Sequence, residues 1–338
     1  MQMLEITPEE AGQRLDKLLG KYLNQAPKSF LYKMMRKKNI TLNGKKCDGS
    51  ERLSGGDVVK MFLSDETIEK FRAAVPSPLK PPASGQLKGT AAALMSALDV
   101  VYEDSHILIL NKPSGILSQK AREQDISLNE IMLNYLISSG KLTPQQLRAF
   151  RPSICNRLDR NTSGLVAAGR SLAGLQILNQ AFKDRSMEKY YQCIVKGKVE
   201  EKQRIQGFLV KNEASNQVLV SSSPMENSLP IATEYQPLAY GAGMTLLQVE
   251  LLTGRSHQIR AHLASIGHPI GGDYKYGDPR FNRLLKESCG VTSQLLHAWK
   301  LVMPHSLEEP LSDLAGRSFC APVPEEFGRV EEKYFSSL

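Results

Sequence analysis

No stretch of this 338-residue chain approaches the ~20 consecutive apolar residues needed to cross a bilayer. No membrane partner is therefore expected. The amino terminus, MQMLEITPEEAGQR, lacks a basic segment followed by an apolar one, so no secretory leader is expected and a cytoplasmic location is. Cysteine is sparse. Cys47, Cys155, Cys193, Cys289 and Cys320 are scattered without any Cys-x-x-Cys pair, which argues against a zinc knuckle and a disulfide framework and for free, buried thiols. Also missing are a Walker A loop, a dinucleotide glycine fingerprint and a nucleophile elbow. Nucleotide hydrolysis, hydride transfer and serine esterase chemistry lose their usual signatures.

What is present is an uneven charge. The chain carries a net charge of +8, yet residues 1–63 hold 12 basic and 7 acidic side chains while the remainder is nearly neutral for its length. A small basic module joined to a larger body suits a polyanion-binding piece attached to a part with another task. Within the module, LDKLLGKYL (15–23) and KSFLYKMMRKK (28–38) have helical apolar spacing. The second helix puts Ser29, Tyr32, Lys33 and Arg36 on the side opposite Leu31, Met34 and Met35, as a nucleic-acid surface would, or a merely solvated face. Two short strands follow, with Asn43-Gly44 as their turn. Pro76, Pro78, Pro81 and Pro82, then glycines and alanines, mark 64–98 as a linker. The domains expected are thus 1–63, the linker 64–98, and a body over 99–338.

In the body, strands and helices are interspersed without a βαβ rhythm, which predicts an α+β domain with a mixed, mainly antiparallel sheet. HILILNKP, YYQCIVKGKV, TEYQPLAY and MTLLQVELL read as strands. Ser127 with Glu130 predicts a capping box, Ser171 the start of a further helix, and Gly267 the end of SHQIRAHLASIG.

Three constellations could carry chemistry. Arg157-Leu158-Asp159-Arg160-Asn161-Thr162-Ser163-Gly164 places an acid among cations and hydroxyl donors at a strand entrance, suited to a substrate loop or to a structural ion pair. Thr253-Gly254-Arg255-Ser256-His257-Gln258-Ile259-Arg260-Ala261-His262 joins a strand end to a helix start, where amides and Arg255 suit an anion or carboxylate. His257 and His262 are five apart and differ by about 140° around a helix, unlike the i, i+4 pairs of metal sites. No metal is expected. In Lys189-Tyr190-Tyr191, strand alternation lets only one tyrosine face a given pocket.

Taken in order, LNKPSG (110–115), NRLDRNTSG (156–164), EKYYQCIVKG (188–197) and LLTGRSHQIRAHLASIGHPIGGDYKYG (251–277) resemble the RluA-type pseudouridine synthase family. The amino-terminal AGQRLDKLLGKYL and PKSFLYKMMRKKNITLNGKK resemble the small α/β S4 RNA-binding module, in the form carried by the branch acting on large-subunit ribosomal RNA. The resemblance implies isomerisation of uridine in RNA without a cofactor: the C1′–N1 bond is broken, the uracil turned and a C1′–C5 bond made. A monomer is expected. It implies catalytic roles for Asp159, Tyr191 and Arg255. The carboxylate would act as nucleophile or as base at C2′, with Arg255 holding it and Tyr191 stacking on the uracil or helping to remove the C5 proton. The target base must be flipped out or unpaired, and Arg157 is placed to fill the space left. RNA contacts are expected from Ser29, Tyr32, Lys33 and Arg36. The alternatives are a transfer RNA substrate and a non-catalytic RNA-binding or ribosome-assembly factor. In one departure, Asn156 stands where the family usually has histidine, which bears on loop packing or RNA contacts more than on catalysis.

Overall fold

The computed structural model describes residues 1–72, 98–122, 125–143, 146–212 and 217–335. The amino-terminal module is a four-stranded antiparallel sheet, β1 (Gln2–Glu5), β2 (Ile40–Leu42), β3 (Lys45–Lys46) and β4 (Val58–Met61), in the order β1-β4-β2-β3. Asn43 and Gly44, at φ 51° and 74°, turn β2 into β3, the left-handed pair a two-residue hairpin requires. The helices α1 (Leu15–Tyr22) and α2 (Lys28–Arg36) bury Leu15, Leu18, Leu19, Leu31 and Met35 against Ile40, Val59 and Met61.

The module does not end at residue 63. Ser64 caps a short helix, α3 (Asp65–Phe71), by accepting from the Thr67 amide at 3.3 Å. Ile68 is fully buried in the module's core, and the Phe71 ring meets Phe30 at 4.6 Å. Burying one isoleucine is worth about 1.5–3 kcal/mol, enough to hold so short a helix that its own hydrogen bonds would not. The prolines and the rest of the expected linker, residues 73–97, lie outside the described residues.

The body is built on one eleven-stranded sheet. Its strands are β5 (Asp99–Glu103), β6 (Ile107–Lys112), β7 (Ser153–Ile154), β8 (Ser163–Gly169), β9 (Glu188–Lys196), β10 (Gln203–Asn212), β11 (Gln217–Ser221), β12 (Leu229–Gly241), β13 (Met244–Leu251), β14 (Leu296–Val302) and β15 (Ser318–Cys320). The order is β11-β10-β12-β13-β9-β14-β8-β6-β5, with β15 beside β14 and β7 beside β8. Among the described residues every strand pairing is antiparallel except β8 with β14, which bears out a mixed, mainly antiparallel sheet.

Helices cover both faces, which is why β6 reads as an unbroken apolar run. Leu108 and Leu110 pack with α4 (Leu128–Ser138) and α7 (Gln258–Ser265), while Ile107 and Ile109 pack with α6 (Leu172–Asp184). Successive strand residues point to opposite faces, so a strand covered twice carries no polar side. The remaining helices are α5 (Gln146–Ala149), α8 (Pro279–Cys289) and α9 (Glu325–Phe335); the last two cover Ile194 and Leu246. Ser171 caps α6 through the Gly174 amide at 3.0 Å. Ser127 starts α4 but makes no cap to the backbone; its hydroxyl bonds the Glu130 carboxylate instead.

One glycine sets the sheet's centre. Gly164, at φ 110°, faces Ala298 across the parallel β8/β14 register, and a Cβ there would stand 2.2 Å from the Ala298 carbonyl oxygen. Only glycine allows this approach, and it fixes the start of β8 immediately after the Asp159 loop.

Candidate active site

Asp159 lies in the loop between β7 and β8, and this loop is held by its backbone. On one side Asn156 extends the sheet: its Oδ1 accepts from the Ala167 amide at 2.8 Å, and its Nδ2 donates to the Leu165 carbonyl at 3.3 Å. The residue that departs from the family pattern therefore pins the loop to β8. On the other side the LNKPSG segment clamps it. Lys112, with no exposed surface, donates its three protons to the carbonyls of Pro113, Ile116 and Arg160 at 2.8, 2.8 and 2.9 Å. Ser114 donates to the Asn161 carbonyl at 3.0 Å, and Ser118 bonds both the amide and the carbonyl of Leu158. Burial draws the Lys112 pKa down to about 7, with nearby Asp159 opposing.

The side chain of Asp159 is held from α7. Arg260 Nη1 donates to Asp159 Oδ2 at 2.8 Å, while its Nε and Nη2 grip Asp273 at 2.7 and 2.9 Å. Asp273 is fully buried and also accepts from the Lys275 and Tyr276 amides. Burial works against the Arg260 charge, but the bonds to Asp273 and Asp159 outweigh it and raise the pKa above the ordinary arginine value. Three charges in this row, each bonded, preorganise Asp159. Arg260 thus anchors Oδ2, while Oδ1 takes no hydrogen bond from any described residue, and the side chain as a whole keeps 23% of its surface exposed.

The arginine bonded to Asp159 is thus Arg260, not Arg255. The reason is the turn into α7. His257 adopts a left-handed conformation, φ 57°, and the helix begins only at Gln258. Arg255 remains before the helix, exposed, with its amide bonded to Gln258 Oε1 at 3.1 Å. Arg260, in the first turn and 7% exposed, points inward.

Tyr191 faces the same site from β9. Its ring is 7% exposed and packs among Val249, Ile259 and Leu158. Burial raises its pKa, and the nearby Asp159 charge adds to the shift. Tyr190 points the other way, bonding Glu188 at 2.9 Å under the Lys300 ammonium. The strand alternation expected from sequence holds at this pair.

His257 and His262 turn to different partners, Tyr276 at 2.8 Å and Thr233 at 3.0 Å. Among the described residues no group of three or more His, Cys, Asp or Glu side chains is arranged to hold a metal ion. Arg157 is exposed beside Asp159, and on α2 Ser29, Tyr32, Lys33 and Arg36 are all exposed, with Tyr32 bonding Asp16 at 3.0 Å. Sequence reasoning missed Lys112, Arg260, Asp273 and Tyr276 as parts of the site. All four lie inside the motifs it singled out, and only tertiary structure distinguishes their roles. Among the described residues, no helix is long and apolar enough to cross a membrane.

The sequence model of the family described as RNA pseudouridylate synthase matches residues 106–265, and that of the S4 domain matches residues 13–59. The chain is 31% identical to the ribosomal large subunit pseudouridine synthase C of Vibrio cholerae serotype O1, over 91% of this chain and 90% of that one. It is 32% identical to the protein of that name from Escherichia coli K12, over 90% and 89%. Among solved structures, human RNA pseudouridylate synthase domain containing 4 shares the fold at a TM-score of 0.58 and 20% identity, covering 73% of this chain and 97% of that one. Human RNA pseudouridylate synthase domain containing 1 does so at 0.53 and 24%, covering 73% and 87%. The chain belongs to the RNA pseudouridylate synthase family, with an S4 domain at its amino terminus.

Proposed function

We propose that this protein converts uridines of large-subunit ribosomal RNA to pseudouridine in the cytoplasm, acting as a monomer with Asp159 as the reacting carboxylate. The observation that supports Asp159 most is its asymmetry: Oδ2 is fixed by Arg260, while Oδ1 takes no hydrogen bond from the described residues. The target nucleotide leaves its stack, which costs a few kcal/mol, and its ribose meets Oδ1. The C1′–N1 bond breaks, the uracil turns against the Tyr191 ring, C5 bonds to C1′, and the C5 proton is lost while N1 gains one. Atoms balance without an external oxidant or reductant. Arg157 fills the gap left in the RNA, and the exposed α2 face with Ser29, Tyr32, Lys33 and Arg36 grips its phosphates. The ribosomal substrate rests on the names of the relatives. It is tested by mapping pseudouridines in RNA from cells with and without the gene: loss at a site in large-subunit RNA is expected, and loss only from other RNA overturns it.

A further inference from the structure

His257 is held in a way that loop closure alone does not require. A histidine in the left-handed region is strained, and its ring is anchored rather than free. Nδ1 lies 2.8 Å from the Tyr276 hydroxyl, and that hydroxyl already accepts the Val218 amide of β11 at 2.9 Å. A phenol that accepts from Val218 and donates to His257 has both of its roles filled, and this is the arrangement in which Nδ1 accepts. Burial lowers the His257 pKa; Arg260 and Lys275 add to this, and Asp159 and Asp273 oppose it. The neutral ring with Nδ1 accepting carries its proton on Nε2. Nε2 faces Asp159 Oδ2 at 3.9 Å, too far for a hydrogen bond between them. A hydroxyl oxygen about 2.8 Å from both atoms would subtend an angle of about 90°, so one group can accept from His257 while donating to Asp159. A hydroxyl, like water, does both, and on a ribose beside Asp159 the 2′-hydroxyl, the one adjoining the reacting C1′, would take that position.

We propose that His257 is a substrate-binding residue whose Nε2–H, set by Tyr276 and Val218, holds the 2′-hydroxyl of the target ribose against Asp159, so that the site reads RNA at the nucleotide it converts. The proposal rests on the pseudouridine synthase reading. The wild-type protein must first be seen to make pseudouridine, and its failure to do so would sink that reading by itself.

The test uses the full chain and a synthetic RNA spanning the converted position, with uridine or 2′-deoxyuridine there. Pseudouridine keeps its 2′-hydroxyl, so turnover does not blur a binding titration. Wild type should bind the ribose form about 5–10-fold more tightly, the scale of one hydrogen bond. His257→Asn, which tolerates the left-handed backbone but is too short to reach, should lose that preference and about tenfold in single-turnover rate. His257→Gln, which restores an N–H at greater reach, should recover part of both. Tyr276→Phe should weaken the preference, and combining it with His257→Asn should cost nothing further. The proposal is overturned if wild type shows no ribose preference, if His257→Asn keeps it, or if the two substitutions act additively.

Discussion

Arg260 bonds Asp159 at 2.8 Å across 101 residues of chain, and the same guanidinium grips Asp273 with its other two nitrogens. The chemistry and the stability of the site therefore share one side chain. Arg260→Ala should leave Asp273 buried and unpaired, a loss of about 3–5 kcal/mol, together with pseudouridine formation. Arg255→Ala, which alters an exposed side chain, should leave urea stability unchanged. Comparing the two by denaturation and single-turnover rate checks the assignment; equal destabilisation would contradict it.

Tyr191→Phe separates the ring from the hydroxyl. RNA affinity should survive, since the ring remains, and any loss of rate then belongs to proton transfer. Tyr190→Phe is the control, because its hydroxyl bonds Glu188 on the other face. Equal rate losses in both variants would contradict the assignment of Tyr191 to the site.

Acid should unfold the protein through its buried histidines. His297 is fully buried between the Ser163 hydroxyl and the Ala321 carbonyl, and burial, opposed by that carbonyl, lowers its pKa to about 4. His262 is lowered to about 4 by burial, opposed by its bond to the Gln206 backbone. Between the unfolded value near 6.5 and the folded value near 4, the unfolded chain binds protons the folded one does not. Stability is thus full above this window and falls as pH drops through it, by about 2–3 kcal/mol per histidine at pH 4. Urea denaturation of wild type and His297→Asn from pH 7 to 4 should show a shallower fall in the variant. Parallel curves would contradict this origin.

The α2 face is tested by salt. Replacing Lys33 and Arg36 with Glu should flatten the dependence of log affinity on log salt by roughly one to two units. An unaltered slope would mean that these side chains are merely solvated.

Much of the architecture was legible because its causes are local. Asn43-Gly44, Ser171 and the two tyrosines each act through neighbours a few residues away. The exceptions share a different cause. The α3 helix adjoins a proline-rich stretch and is held by Ile68 in a core built elsewhere. Arg255 and Arg260 differ only in which side of the His257 turn they occupy, a conformation set by packing against Tyr276. Lys112 looks like a surface lysine until the Asp159 loop closes over it.

As proposed, Asp159 is the reacting group on a scaffold that does not depend on it. The most direct measurement is pseudouridine formed by Asp159→Asn in large-subunit ribosomal RNA, taken with its thermal unfolding and RNA affinity. The variant should form no detectable product while unfolding and binding RNA close to wild type, since the substitution removes charge at nearly constant shape. Substantial turnover by the variant would contradict it.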